Sequence, residues 1–329
     1  YEDKLLDVGE PFALWVIESD KDISDELPLH KIGLPVIFTD NHKPYKERKV
    51  RVLNGAHTAS VLAGYLYGID IVRDCMSDSL MGKFIRNVVM DEIVPQVNLP
   101  LEEVKEFANS VFERFENPFI DHALLSISLN SVSKWRARVL PSFKDYYKNK
   151  GALPRLITFS FAALLAFYSS NDLREDGLYA KRANGDEYVI HDDKAVLEFF
   201  AQNVGEADFV EKTCRNADFW GEDLSLYSNF TEEVEYWYKK LHNDAKSAAE
   251  SCAKQQDNYE TWNVLNDKSV LAFSGRGSIG LYKNNVLIEL TQVEFQIIEY
   301  FFTNPGKALR RNDILKEVWG ELYYGDEKV

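Results

Sequence analysis

The sequence has few cysteines, no long hydrophobic run and no excess of basic residues, and each shortage excludes a class of protein. Its three cysteines, Cys75, Cys214 and Cys252, are too widely spaced for a metal site, so we expect reduced thiols in a cytosolic, cytoplasmic protein. No run of 18 or more apolar residues occurs, which argues against a membrane-spanning helix. The segment Tyr1 to Leu6 has neither the basic start nor the apolar core of a signal peptide.

Basic residues are scarce where nucleic-acid binding would need them. From Lys268 to the end there are eight Lys or Arg and eight Asp or Glu, so the net charge of −15 lies entirely in residues 1–267. Phosphate backbones repel such an acidic surface. We therefore expect residues 1–267 not to bind nucleic acid.

A dinucleotide-binding turn is also missing. Residues 1–50 contain no strand, glycine-rich turn and helix in succession, which is the usual pyrophosphate site. A Gly-x-Gly-x-x-Gly pattern does occur at Gly275, Gly277 and Gly280. The residues after it predict a turn and a strand instead of the required helix, so we exclude it as a cofactor site.

The apolar pattern changes along the chain and divides it into segments. Short runs rich in β-branched and aromatic residues, Phe12–Ile17 and Leu34–Thr39, predict strands. From Asn54 onward apolar residues recur at helical spacing. The predicted helices are Thr58–Tyr67, Ser79–Pro95, Pro100–Phe115, Asp121–Arg138, Ile157–Ser170, Val196–Asn203, Ala207–Thr213 and Thr231–Ser251. Near the end, the predicted strands are Val270–Phe273, Ile279–Tyr282 and Val286–Leu290, and the predicted helices are Thr291–Asn304 and Arg310–Trp319.

The segment Lys49-Val-Arg-Val-Leu-Asn54-Gly-Ala-His57 places an amine, an amide and an imidazole within nine residues. An amine can transfer a proton, an amide can hold a developing oxyanion, and an imidazole can orient a hydroxyl, as hydride chemistry at a ketone requires. A purely structural interpretation also fits this spacing. In it Asn54 only caps a helix, His57 packs in the core, and Lys49 is a solvated charge.

The same segment matches the Lys-x4-Asn-x2-His signature of the polyol-specific long-chain dehydrogenases, the mannitol dehydrogenase family. The chain resembles that family from about residue 1 to about residue 250. The resemblance also rests on Glu10–Glu18, Leu53–Thr58, Arg114–Ile120 and Ser128–Ser142.

The resemblance implies a role for each residue of the signature. Lys49 would protonate the carbonyl oxygen as hydride arrives and would act as the base in the reverse direction. That role needs an amine that loses its proton readily, through burial or through the charges of Arg48 and Arg51. Asn54 would donate a hydrogen bond to the same oxygen, and His57 would hold a neighbouring hydroxyl.

Three cations, Lys134, Arg136 and Arg138, follow in the predicted helix Asp121–Arg138. The resemblance implies that Lys134 and Arg138, which share a helix face, bind the carboxylate of a sugar acid. The alternative is that they only complement the dipole at the helix end. His122 either faces the same cleft or is an ordinary helix histidine.

The fold class that follows is a mainly α-helical dehydrogenase C-terminal domain, preceded by the last strands of a Rossmann-type domain. We expect a remnant of the dinucleotide-binding domain at 1–45, a helical substrate domain at 46–252, a linker at 253–267 and a partial winged-helix-like domain at 268–329. The implied cofactor is NAD(H), whose main binding domain is not seen in the sequence. We therefore expect this chain alone neither to bind NADH well nor to turn over.

Residues 268–329 resemble the effector domain of OmpR/PhoB-type response regulators, a winged helix. The resemblance rests on Leu290-Thr-Gln-Val-Glu-Phe295, Asn304-Pro-Gly306 and Ile314-Leu-Lys-Glu-Val-Trp-Gly320. A basic recognition helix, which would read DNA, is absent from the sequence. Specific DNA binding through this segment is therefore doubtful.

Three functions remain open. The first is NAD-dependent reduction of D-tagaturonate to D-altronate in uronate catabolism, with a small sugar acid as the partner and no membrane. The second is a DNA-binding transcription regulator built on residues 268–329. The third is a non-catalytic chimera of the two segments.

Overall fold

A computed structural model describes residues 13–259 and the backbone of three strands within 269–288. The chain divides into two compact units, Tyr1–Tyr147 with Leu153–Ala249, and Lys148–Ala152 with Glu250–Val329. The fold is mainly helical, as predicted. None of the helices in the described residues combines the length and the apolar character needed to cross a membrane. The domain boundaries expected from the sequence stay predictions.

The helices are numbered in chain order. They are α1 Lys43–Arg48, α2 Gly55–Tyr67, α3 Val72–Ser77, α4 Ser79–Asn87, α5 Leu101–Phe115, α6 Leu124–Ser128, α7 Ser131–Arg138, α8 Leu140–Lys150, α9 Arg155–Phe167, α10 Lys194–Asn203, α11 Phe209–Arg215, α12 Ala217–Trp220, α13 Phe230–Asn243 and α14 Ala245–Tyr259. Two π-helical turns, Lys49–Asn54 and Val88–Ile93, directly follow α1 and α4.

The core of the larger unit is built around α2 and α9. Helix α9 is apolar on every side, and nearly all of its residues from Leu156 to Phe167 are buried, as expected for a helix enclosed by others. It packs against α2 and α13, and α2 also packs against α6 and α7. The buried aromatic side chains Trp135, Phe161 and Trp220 meet edge to face beside it. This arrangement holds the start of α2 rigidly against α7.

The predicted N-terminal strands are present as β1 Trp15–Glu18 and β2 Val36–Thr39. They pair in parallel, with Trp15 opposite Val36. A three-stranded antiparallel sheet was not predicted. Its strands are β3 Asp172–Arg174, β4 Gly177–Lys181 and β5 Glu187–Ile190. Polar and charged residues interrupt these short strands, so their alternating pattern is weak.

Two predicted helices are each divided in the structure. The prediction of one helix over Asp121–Arg138 was wrong, because Asn130 adopts a left-handed conformation (φ 54°) between α6 and α7. Asparagine tolerates this conformation better than most residues. The predicted helix Thr231–Ser251 is interrupted at Asp244, whose carboxylate accepts hydrogen bonds from the first turn of α14.

The three predicted C-terminal strands are confirmed as β6 Ser269–Phe273, β7 Ile279–Lys283 and β8 Val286–Ile288, paired antiparallel in sequence order. Of the glycine pattern, Gly275 and Gly277 lie outside the described residues and Gly280 lies in β7. The glycine pattern therefore leads into a strand that pairs with β6 instead of into a helix. This agrees with the exclusion of the pattern as a dinucleotide site. The predicted helices Thr291–Asn304 and Arg310–Trp319 lie outside the described residues.

Candidate active site

The signature segment begins with a π-helical turn. Helix α1 runs through the turn Lys49–Asn54 directly into α2, and the Gly55 N–H donates to the carbonyl of Val50, five residues back. Asn54 has helical angles (φ −72°, ψ −33°), and its side chain caps nothing. The interpretation of Asn54 as a helix N-cap was therefore wrong, since the helix does not begin there.

The π turn determines which side chains share a face. Residues five apart in an α-helix point about 140° away from each other, so Lys49 and Asn54 would diverge. In a π turn the hydrogen bonds join residues five apart, which places such a pair on one face. His57 lies three residues beyond Asn54 in α2 and continues that face. We therefore expect Lys49, Asn54 and His57 to lie on one side of this helical segment.

Lys49 is exposed and borders a cleft of about 460 Å³. The strand residue Trp15 and the α5 residues Phe107 and Arg114 form other parts of its lining. The cleft therefore combines aromatic side chains with four cationic ones, Lys46, Arg48, Lys49 and Arg114. The described residues do not bury Lys49, although burial was one of the two conditions expected for its role.

The two arginines flanking Lys49 do not serve as its expected charged neighbours. Arg48 forms an ion pair with Glu103 and lies over the ring of Phe107, 4.6 Å from its centroid. Arg51 forms an ion pair with Asp145. Because each guanidinium is neutralised by a carboxylate, the expectation that Arg48 and Arg51 act on Lys49 through their charge is not supported.

His57 lies deeper than Lys49. Its ring stacks on Phe115, with centroids 4.0 Å apart, and meets His122 edge to face at 5.4 Å. Burial lowers the pKa of His57 to about 3, and the charges of His122, Arg138 and Arg114 act in the same direction. The imidazole is therefore neutral at neutral pH. Its Nδ1 atom is buried with no hydrogen-bond partner in the described residues.

Helix α7 carries the two predicted carboxylate-binding cations. Lys134 donates from Nζ to the carbonyl of Ile127 at 2.9 Å. Burial, followed by the charge of Arg138, lowers its pKa. Among the described residues no carboxylate pairs with Arg138, which donates to Thr58 Oγ1 at 3.5 Å. Arg138 acts electrostatically on both His57 and Lys134, so these predicted site residues lie in one neighbourhood.

The start of α7 is anchored by a buried carboxylate that was not predicted. Asp192 accepts hydrogen bonds from the hydroxyl of Tyr168 (2.6 Å) and the N–H of Val132 (3.4 Å). Burial raises the pKa of Asp192, whereas these bonds oppose the rise. At its other end α7 approaches α2 closely, since a Cβ added to Gly55 would lie 3.2 Å from the carbonyl of Arg138. A side chain at Gly55 would therefore crowd the carbonyl of Arg138.

The prediction missed the contribution of Arg114 and left that of His122 open. Arg114 lies in one of the segments that carry the family resemblance, but no role was predicted for it. In the structure it borders the Lys49 cleft and acts electrostatically on His57. His122 is exposed, lies just before α6 instead of inside a helix, and faces His57. Only the fold brings these residues to the signature segment, so local spacing carried no signal for them.

The mainly helical fold is that of the C-terminal domain of a class of dehydrogenases. The family model for the mannitol dehydrogenase C-terminal domain matches residues 41–242. The chain therefore belongs to the mannitol dehydrogenase family.

Curated relatives agree with this assignment. The chain is 42% identical over 243 residues to an altronate oxidoreductase of Pectobacterium atrosepticum, which covers 71% of this chain and 48% of the relative. It is 39% identical over 242 residues to the altronate oxidoreductase of Escherichia coli O9:H4, with the same coverage. The chain thus spans about half the length of the curated relatives it matches.

Solved structures show the same fold. A Pseudomonas fluorescens mannitol 2-dehydrogenase, in a ternary complex with NAD and D-mannitol, aligns with a TM-score of 0.61 at 23% identity. The alignment covers 76% of this chain and 47% of the mannitol 2-dehydrogenase chain. A substrate-free D-sorbitol dehydrogenase aligns with a TM-score of 0.51 at 18% identity, over 68% of this chain and 43% of that structure. A second family model, for the C-terminal part of transcriptional regulatory proteins, matches residues 284–329.

Proposed function

We propose that this chain contributes the substrate side of an NAD-dependent dehydrogenase that interconverts D-tagaturonate and D-altronate. The observation that carries the proposal is the π turn Lys49–Asn54, whose hydrogen bonds join residues five apart and so favour a common face for Lys49 and Asn54. Relatives named altronate oxidoreductase, at about 40% identity, support the choice of substrate.

The residues divide the chemistry between them. In ketone reduction a hydride adds to the carbonyl carbon, and the electron pair of the C=O bond moves to oxygen, which takes a proton from the Lys49 ammonium. The Asn54 amide donates a hydrogen bond to the same oxygen, where negative charge develops. Neutral His57 orients a neighbouring hydroxyl.

The α7 cations select for an acid. Lys134 and Arg138 are partly desolvated, and Arg138 has no carboxylate partner among the described residues. A desolvated guanidinium without a counterion favours an incoming carboxylate, whose two oxygens match its paired N–H groups. A sugar acid fits this site better than an uncharged polyol.

The described residues do not fit the whole cofactor. A bound reduced nicotinamide supplies the hydride, and the aromatic cleft beside Lys49 suits a flat ring. In the described residues 13–259, however, no strand leads through a glycine-rich turn into a helix that could hold the pyrophosphate. We therefore assign only the substrate-side roles to this chain. Its buried cysteines, none of which forms a disulfide, are consistent with a reducing cytoplasm.

The test has two measurements on the purified chain, binding of sodium D-altronate by calorimetry and NADH oxidation with D-tagaturonate. We expect altronate to bind and turnover to be absent or slow. If turnover occurs, Lys49→Ala should reduce it about 10²- to 10⁴-fold, as loss of a general acid does. Lys43→Ala, another exposed lysine of the same helical segment, should leave it unchanged. A folded chain that neither binds altronate nor oxidises NADH would refute the proposal.

A second function, DNA binding, is supported only by the family-model match to residues 284–329. The charge distribution opposes it, because residues 268–329 carry as many acidic as basic residues. Fluorescence anisotropy with a labelled random-sequence duplex at low salt tests it. We expect no binding at micromolar protein, and binding that disappears with added salt would support the regulator.

A further inference from the structure

Two buried arginines hold the π turn Lys49–Asn54, since Arg48 directly precedes the turn and Arg51 lies within it. Arg48 and Arg51 are 5% and 9% exposed, whereas Lys49 is exposed. Buried arginines are rare in proteins and are normally paired. Their position on either side of Lys49 therefore needs an explanation other than surface charge.

Arg51 is bound at two points of its guanidinium. Nη1 donates to the backbone carbonyl of Gln96 at 2.6 Å, and Nη2 donates to the carboxylate of Asp145 in α8. The planar fork of arginine can make both bonds at once, and a lysine ammonium cannot reproduce their geometry. The π turn is thereby fixed to two segments that lie 45 and 94 residues away in the sequence.

Arg48 provides the second attachment, to α5. Nη1 donates to Glu103, and the guanidinium stacks on the Phe107 ring. Its Nε atom is buried with no hydrogen-bond partner among the described residues, which costs free energy. An arrangement selected for stability alone would avoid this cost. The clamp formed by Arg48 and Arg51 therefore points to a requirement on the geometry of the turn.

The geometry that is required is the π-helical hydrogen-bonding register of the turn. π turns are rare and less favourable than α-helix, so a free segment would relax to α-helical hydrogen bonding. Relaxation would turn Asn54 by about 140° from Lys49. We propose that Arg51, assisted by Arg48, is a positioning residue that holds the π register and so keeps Lys49 and Asn54 on one face. The proposal rests on the proposed function for its purpose, although the register itself is measurable without substrate.

An engineered disulfide reports the register directly. In an α-helix the Cα atoms of residues five apart are roughly 8.7 Å from each other. That separation exceeds the limit of about 7 Å for a disulfide, whereas a π turn brings the pair closer. In the full chain carrying Lys49→Cys and Asn54→Cys, mild oxidation should form the 49–54 bond, seen by mass spectrometry as the loss of two hydrogens. Failure of this parent to cross-link would overturn the proposal.

Arg182→Met is the matched control for Arg51→Met. Arg182 is also 9% exposed and also donates to a backbone carbonyl and a carboxylate, those of Ile69 and Asp70. Both substitutions remove a buried arginine with the same kinds of bond, but only Arg51 lies in the π turn. We expect Arg51→Met to slow cross-linking at least tenfold and Arg182→Met to leave it within twofold of the parent. Equal rates in the two variants would overturn the proposal.

A milder variant covers the case in which Arg51→Met does not fold. Asp145 is partly exposed, so Asp145→Asn removes the charge partner of Arg51 with little risk to the fold. It should slow cross-linking about threefold, and an unchanged rate would count against the proposal. Altronate binding by the unmodified chain, measured separately, distinguishes failure of the proposed function from failure of the register.

Discussion

At the scale of single residues, His57 shows how burial determines function. A solvated imidazole is partly protonated near neutral pH, whereas this ring is stacked on Phe115 and faces a group of positive charges. Both effects disfavour a further charge. The ring therefore stays neutral and keeps one nitrogen able to accept a hydrogen bond, as a residue that orients a substrate hydroxyl requires.

The depressed pKa of His57 should make the fold sensitive to acid. Below pH 6.5 the unfolded imidazole takes up a proton, and the folded one does so only near pH 3, so stability falls as the pH falls through this window. From pH 6.5 to 4.5 the loss is about 2–3 kcal/mol. Urea unfolding of His57→Asn should show a smaller loss over that range. His242→Asn, at an exposed histidine, should behave like the parent, and equal losses in both variants would contradict the shift.

The charge of Arg138 should distinguish an acid from a neutral sugar. We expect Arg138→Ala to weaken binding of D-altronate about 10- to 100-fold, because a hydrogen bond to a charged group contributes about 1.5–3 kcal/mol. Binding of D-tagatose, which has no carboxylate, should change less than threefold. Calorimetry with both sugars checks this. An equal loss for the two would show that Arg138 does not meet the carboxylate.

The residues of the site were predictable to different degrees. The types and spacing of Lys49, Asn54 and His57 were visible in the sequence, since they lie within nine residues. The environment of Lys49 was not, because the partners of Arg48 and Arg51 lie tens of residues away along the chain. A run of basic residues in a sequence does not show which of their charges are neutralised by carboxylates in the fold.

At the scale of elements, the buried carboxylate of Glu92 joins the second π turn to α9. It accepts hydrogen bonds from the N–H groups of Leu156 and Ile157, both at 2.8 Å, and so caps the helix. Burial raises the pKa of Glu92 to about 7, although these two bonds act against the rise. The central helix of the core thus begins at a group that titrates near neutral pH.

Glu92 should make the fold less stable as the pH rises. Between pH 4.5 and about 7 the unfolded carboxyl loses its proton before the folded one does, which favours unfolding by up to about 3 kcal/mol. Glu92→Gln should remove this contribution, while costing about 1 kcal/mol at pH 5 through the weakened cap. Unfolding by urea at pH 5 and pH 8 measures the difference. Glu106→Gln, at an exposed position, is the control. If the free energy of unfolding changed equally between pH 5 and pH 8 in both variants, the raised pKa of Glu92 would be refuted.

Periodicity predicted where helices lie better than it predicted how they are built. The apolar repeats of α5 and α10 were recognised because each of these helices buries one face. The π turn was missed because one extra residue per turn changes the period over only six residues. The break at Asn130 was missed because apolar spacing continues across it, although the backbone does not.

At the scale of the whole molecule, the chain joins an acidic body to a neutral segment. The net charge of −15 lies in residues 1–267, whereas the groups that face the proposed substrate, Lys49, Arg114, Lys134 and Arg138, are cationic. A cationic site within an acidic surface attracts a small anion locally while the surface as a whole repels polyanions. The charge pattern therefore favours a sugar acid over a nucleic acid as the partner.

The groups present in the chain predict different affinities for the sugar acid and for NADH. The described residues supply groups for the sugar acid, but no pyrophosphate cradle is found among them or in the sequence pattern of residues 1–50. We expect the chain to bind D-altronate measurably and NADH no more tightly than about 1 mM, a free energy of about −4 kcal/mol. Calorimetry and NADH fluorescence measure the two. Micromolar binding of NADH would show that residues outside the described part of the chain form a cofactor site, and the chain would then hold both halves of the reaction.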